Sequence, residues 1–226
     1  MTLLREIQGP VGRLDAILDQ PLLNRTVTPD GLVAPGAAAG VRAAVVIGHP
    51  HTQMGGTMHT KGVYHAAKGL ARIGCAVLRF NFRGAGHSEG AYDEGRGEQD
   101  DFLAALDVMS GLYPGIPLWA AGMSFGSWVG LRVGARDPRV SALIGIAMPI
   151  RKWDFSEVAT SAKPKFLIHG ELDELCGHKE IQTFYARCAD PKEIAIIDGA
   201  DHLFNGRAGE VADAIEALLG DWPQPH

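Results

Sequence analysis

Residues 117–135 read PLWAAGMSFGSWVGLRVGA, and how this stretch is interpreted decides the fold. Pro117–Ala121 is short and apolar on both faces, as a strand inside a sheet must be. Gly126–Ala135 reads as a helix. Between them lies Gly122-Met123-Ser124-Phe125-Gly126. A serine on a strand-to-helix turn needs close backbone approach on both sides, and glycine two residues before and two after relieves that crowding. Such a turn lifts the hydroxyl above the sheet, and the helix N-terminus behind it favours developing negative charge. The same five residues also describe an ordinary βα turn with a small capping serine. The surrounding chain has to decide between the two.

Outward from this turn, short apolar runs alternate with amphipathic stretches, the pattern of a parallel sheet covered by helices. Strands are predicted at Ala43–Gly48, Cys75–Phe82, Ala142–Ala147, Lys165–His169 and Glu193–Ile197. Helices are predicted at Tyr64–Ile73, at Glu98–Leu112 from the spacing of Phe102, Leu106 and Met109, and at Glu180–Cys188. A final helix carries the stripe Val211, Ile215 and Leu218. Residues 1–40 hold Pro10, Pro21, Pro29 and Pro35 with several glycines and little periodicity. They read as one or two antiparallel edge strands, around Ile7 and Leu14–Leu18, joined by turns. The whole chain, 1–226, is expected to form a single domain, with 41–220 as its core.

A serine alone is a poor nucleophile and needs a base and an orienting acid. The strand at Lys165–His169 runs into Gly170-Glu171-Leu172-Asp173, which places a carboxylate in the loop at its carboxyl end. The last strand runs into Asp198-Gly199-Ala200-Asp201-His202, which places a histidine in the next loop. Catalytic groups of open α/β sheets gather at that edge. Ser124 as nucleophile, Asp173 as orienting acid and His202 as general base therefore share one rim, in an order known for hydrolytic triads. Taken singly, His202 also fits a surface-loop histidine and Asp173 a turn carboxylate; their conjunction with Ser124 favours chemistry.

Five motifs follow in order: His49-Pro50-His51 with Gly55-Gly56; Asn81-Phe82-Arg83-Gly84 with Gly86, His87, Ser88 and Gly90; GMSFG; HGELD; and GADHLF. From about Ala43 to Leu219 the chain resembles the α/β-hydrolase superfamily, closest to small, lidless bacterial hydrolases and carboxylesterases related to dienelactone hydrolases. Thr52 departs from the pattern, because those relatives repeat proline there. The resemblance implies a mostly parallel central sheet with helices on both faces and no cap domain. It also implies an oxyanion hole of two backbone N–H groups, from Phe125 and from His51. The His51 side chain is read either as a pocket-lining imidazole or as a substrate contact. Both readings stand at this point.

Other features exclude functions. A formal net charge of −5 without a Lys/Arg block offers no footprint for nucleic acid or anionic lipid. Three cysteines without CxxC spacing argue against a disulfide framework and a zinc site, and suit a reducing compartment. No secretory signal and no membrane span is read, so a cytoplasmic location is expected. Neither GxGxxG nor GK[ST] is present, and no histidine spacing selects a metal, so no cofactor is expected. Only Met148–Ala162 separates two successive strands, too little for a lid. An open cleft is expected, floored by Ser124 and walled by Met123, Phe125, Met148, Trp153 and Leu203. The expected activity is hydrolysis of small or medium carboxylic esters through an acyl-enzyme. Thioesters, amides or lactones are alternatives for the same triad, and a non-catalytic binding module is a third. The expected partner is a small-molecule ester; the oligomeric state, a homodimer included, is left open.

Overall fold

The computed structural model describes residues 4–21 and 40–222. The edge of the sheet is built first. Strands β1 (Glu6–Gly9) and β2 (Gly12–Asp19) form an antiparallel hairpin, and β2 pairs antiparallel with β4 (Ala76–Phe80). The two edge strands predicted near Ile7 and Leu14–Leu18 are thus present. The turns predicted between residues 22 and 39 lie outside the described residues.

The remaining strands are parallel: β3 (Ala44–Gly48), β5 (Leu118–Met123), β6 (Val140–Ile146), β7 (Lys165–Gly170) and β8 (Lys192–Ile197). The sheet order is β1-β2-β4-β3-β5-β6-β7-β8. β3, β4, β5 and β7 are buried along their whole length, which explains why they read as continuous apolar runs rather than alternating ones. Alternation still sorts their side chains. Ala44 and Val46 of β3 join Leu118 and Ala120 of β5 in one layer. Val45 and Ile47 join Trp119, Ala121 and Met123 in the other.

Helices α1 (Lys61–Arg72) and α6 (Ala208–Leu219) cover the second of these layers. Helices α2 (Arg96–Leu112), α3 (Phe125–Arg136), α4 (Ser156–Thr160) and α5 (His178–Arg187) line the first. Three helices begin two or more residues earlier than periodicity predicted, α1 at Lys61, α2 at Arg96 and α5 at His178. In α1 the reason is Gly62. Its hydrogen faces the Met123 sulfur, where a Cβ would stand 2.6 Å away. Between β6 and β7 the only helix is α4, of five residues, so among the described residues no lid covers this end of the sheet. Ser124, Asp173 and His202 follow the carboxyl ends of β5, β7 and β8 and meet at that uncovered edge.

Candidate active site

Ser124 sits directly between β5 and α3 with φ 53° and ψ −119°, a left-handed conformation that non-glycine residues adopt only under constraint. The constraint is visible. The Ser124 N–H donates to the Ile146 carbonyl of β6 at 2.9 Å, and its carbonyl accepts from the Ser127 hydroxyl at 2.6 Å. The flanking glycines provide the room. A Cβ on Gly122 would collide with the Gly126 carbonyl, and one on Gly126 with the Gly48 carbonyl at the end of β3. The first turn of α3 is thereby pressed onto β3, bringing the loop that follows β3 beside the Phe125 amide. That amide lies in the first helical turn, where no intrahelical acceptor exists.

The three predicted residues converge. His202 Nε2 is 2.8 Å from Ser124 Oγ, and its Nδ1 is 2.8 Å from Asp173 Oδ2. All three are buried, at 6%, 5% and 4% exposure for Ser124, His202 and Asp173. The other oxygen of Asp173 accepts from the N–H groups of Leu175 (2.8 Å) and Cys176 (3.0 Å). These two bonds orient the carboxylate. The His202 N–H donates to Glu174 Oε2 at 3.2 Å, so a second carboxylate stands at the rim.

Two further histidines shape the loop after β3. His49 is fully buried. Its Nδ1–H donates to the Pro50 carbonyl at 2.6 Å, and its Nε2 accepts from the Phe82 N–H at 3.0 Å, so it joins the loops after β3 and β4. Burial holds its pKa down at about 4, hence the neutral form. His51 lies 2.9 Å from the Tyr92 hydroxyl through Nε2 and packs against the rings of Tyr92, Phe125 and Trp153. Burial, then the Lys152 ammonium, lowers its pKa. Tyr92 lies in the segment between β4 and α2. Arg83 anchors that segment on Asp101 of α2 through two guanidinium bonds at 2.7 and 3.0 Å, and Ser88 and His87 bond it to Asp15 of β2.

A cavity of about 440 Å³ opens over Ser124, lined by His51, Met54 and Thr60 on one side and by Lys152, Trp153, Glu174, Leu175 and Leu203 on the other. Trp153 and Leu203 stand where the sequence placed them, on the wall. Met123 and Met148 do not. Met123 continues the alternation of Trp119 and Ala121 into the layer beneath α1, and Met148 folds back onto Gly145 in the opposite layer. The Phe125 ring is also buried, behind His51 and Trp153, so only its backbone borders the site. Thr60, Lys152, Glu174 and Leu175 escaped sequence reasoning. No motif marks them in the sequence; only in the fold do Met54, Leu175 and Leu203 stand out, as large apolar side chains left 83%, 45% and 45% exposed on this rim.

Among the described residues, no group of three or more His, Cys, Asp or Glu side chains could hold a metal ion, and no helix is long and apolar enough to cross a membrane. Cys75, Cys176 and Cys188 are buried and unpaired, and burial pushes the thiols of Cys75 and Cys176 up to about 12.

Known proteins with the same architecture make the class plain. An α/β serine hydrolase homologue from Coxiella burnetii superposes with a TM-score of 0.82 at 33% identity, covering 95% of each chain. A serine hydrolase without lid from Xanthomonas campestris, XC6422, gives 0.83 at 32% identity, covering 97% of this chain and 95% of its own. An uncharacterized protein of Rickettsia prowazekii (strain Madrid E), RP471, is 34% identical over 199 residues, 84% of this chain and 83% of the relative. The protein is a lidless α/β-hydrolase of the serine hydrolase type. Residues 39–161 match the model of the family described as serine aminopeptidase, S33, and the chain belongs to that family. The matched segment contains Ser124 and ends before Asp173 and His202.

Proposed function

We propose that this protein hydrolyses small carboxylic esters through an acyl-enzyme on Ser124. The observation that carries the reading is the unbroken line of hydrogen-bonding distances Ser124 Oγ–His202–Asp173, at 2.8 Å each, beneath an open cavity. Ser124 Oγ attacks the ester carbonyl as its proton passes to His202 Nε2. Asp173 receives the Nδ1–H and favours the imidazolium that forms. The tetrahedral oxyanion points at the amides of Phe125 and His51, and removal of one such donor costs about 10²–10³ in kcat where measured. The imidazolium then gives its proton to the departing alcohol, and water repeats the sequence to release the acid. Trp153, Leu203, Met54 and Leu175 supply apolar wall for the acyl group. No step calls for a cofactor, and three unpaired thiols agree with a cytoplasmic setting.

A second reading, cleavage of an amide next to a free amine, is favoured by Glu174. Its carboxylate is held by the His202 amide and reaches the cavity as a ready anchor for an ammonium group.

The test is kinetic. Ser124→Ala and His202→Ala should each lower kcat on a p-nitrophenyl ester by a factor on the order of 10⁴–10⁶, and the double variant should be hardly slower. Asp173→Asn should cost less. A fluorophosphonate should label Ser124 alone; label on Ser88 or Ser127 would reassign the nucleophile. Faster turnover of aminoacyl p-nitroanilides than of any ester, lost in Glu174→Gln, would favour the second reading.

A further inference from the structure

The acid of the site rests on a turn that must itself be held. Its beginning is tied to β8 and the loop after it, by Glu171 N–H to Ile197 O at 3.0 Å and Leu172 N–H to Ala200 O at 2.9 Å. Its far end, Cys176, supplies one of the two N–H groups on Asp173 Oδ1. What ties Cys176 back to the sheet is a side chain of β7. His169, at 1% exposure, brings Nε2 to 2.7 Å from the Cys176 carbonyl and to 3.7 Å from Asp173 Oδ2. A carbonyl can only accept, so Nε2 carries the hydrogen and Nδ1 is the bare nitrogen. Nδ1 is buried and has no partner among the described residues. Burial lowers the pKa of this ring, which keeps it neutral beside the carboxylate.

A buried imidazole with an unsatisfied nitrogen is a poor packing residue. Its strand neighbours Phe166, Leu167 and Ile168 fill the core with no such cost. What His169 adds over leucine is a single N–H fixed by a rigid strand and aimed at the far end of the acid's turn. We infer that His169 is a positioning residue, which bolts the 173–176 turn to β7 and so sets the carboxylate of Asp173 against His202. The inference rests on the roles proposed above for Asp173 and His202. The path is continuous: β7 to the His169 N–H, to the Cys176 carbonyl, to the Leu175 and Cys176 amides on Oδ1, to Oδ2 on His202 Nδ1. His169 does not line the cavity, so substrate binding should be indifferent to it.

Three variants of the full chain separate positioning from packing. His169→Gln keeps an N–H near the ε position, His169→Asn moves it out of reach of the Cys176 carbonyl, and His169→Leu removes it. With p-nitrophenyl acetate, His169→Gln should retain kcat, while His169→Asn and His169→Leu should lose about 10–100-fold, the range found when partners orienting metal-bound histidines are removed. KM should stay unchanged in all three. The far-downfield proton resonance of the His202 Nδ1–H reads the same geometry without substrate. It should persist in His169→Gln and shift or broaden away in the other two. Wild-type kcat and an unmoved resonance in His169→Asn would overturn the inference. So would a His169→Gln variant as slow as His169→Leu, with losses that follow the melting temperature. If Ser124→Ala continued to hydrolyse ester, the proposed function would fall, and the resonance would still decide the role of His169.

Discussion

Gly122 and Gly126 keep their places because of space rather than backbone angle. A methyl group on Gly126 meets the end of β3 directly, whereas one on Gly111, exposed in α2, meets nothing within 4 Å. Gly126→Ala should therefore lower stability by at least the ~1–3 kcal/mol of an overpacked core, and silence the site with it. Gly111→Ala should raise stability by about 0.5–1 kcal/mol. Urea unfolding of the two variants checks the contrast. His49 gives a pH dependence of definite sign. Its pKa is about 4 in the folded protein against 6.5 when unmodified by the fold, so between those values the unfolded chain binds more protons. Stability is then full above pH 6.5 and falls as pH drops towards 4, by on the order of 3 kcal/mol from this group. His169, shifted in the same direction, adds to the loss. His49→Gln should flatten the acid limb of a plot of unfolding free energy against pH. An unchanged slope would show that His49 is not held neutral.

The loop between β4 and α2 shows how an element is placed by charge. Arg83 and Asp101 are almost completely buried and doubly bonded, and the Arg83 amide also donates to Asp101 at 3.0 Å. Removing one partner leaves the other charge buried and alone, so Asp101→Ala should cost about 3–5 kcal/mol in urea unfolding. The joint change Arg83→Met with Asp101→Leu should recover much of that, because it removes both charges. Tyr92, carried by this loop, should release His51 when changed to Phe, with the effect on kcat/KM rather than on the melting temperature. At this scale the sequence was largely legible: every predicted strand and helix is present, because apolar runs and 3.6-residue spacing are local signals. The helix starts were not: Gly62, in the first turn of α1, fits only against Met123, a contact between residues 61 positions apart.

For the molecule as a whole, the proposed activity turns on the carboxyl edge of the sheet, where Ser124, Asp173 and His202 meet. The connection between β6 and β7 holds only α4, so that connection offers no lid to open on a lipid surface. Short acyl chains, roughly C2 to C6, should be preferred, since each methylene left in water outside the cavity forgoes about 0.8 kcal/mol. The check is kcat/KM across an acyl series measured below and above the solubility limit. A maximum at long chains, or a jump in rate on emulsion, would show that some part of the chain acts as a lid.

The proposed chemistry was written locally. A serine between glycines at a strand-to-helix turn, an acid after one strand and a histidine after another are short-range patterns, and sheet topology brings strand ends to one edge whatever lies between. The cavity wall was not written locally. It is assembled from the loops after β3, β6, β7 and β8, each set by contacts far apart in sequence, so Lys152, Glu174 and Leu175 carry no motif. Met123 and Met148 show the same limit from the other side. Both stand next to residues of the site in the chain, yet strand alternation in one case and packing on Gly145 in the other turn their side chains into the core. His169 joins the two levels: its place in HGELD is readable, but its partner Cys176 is chosen only when the turn folds back onto β7.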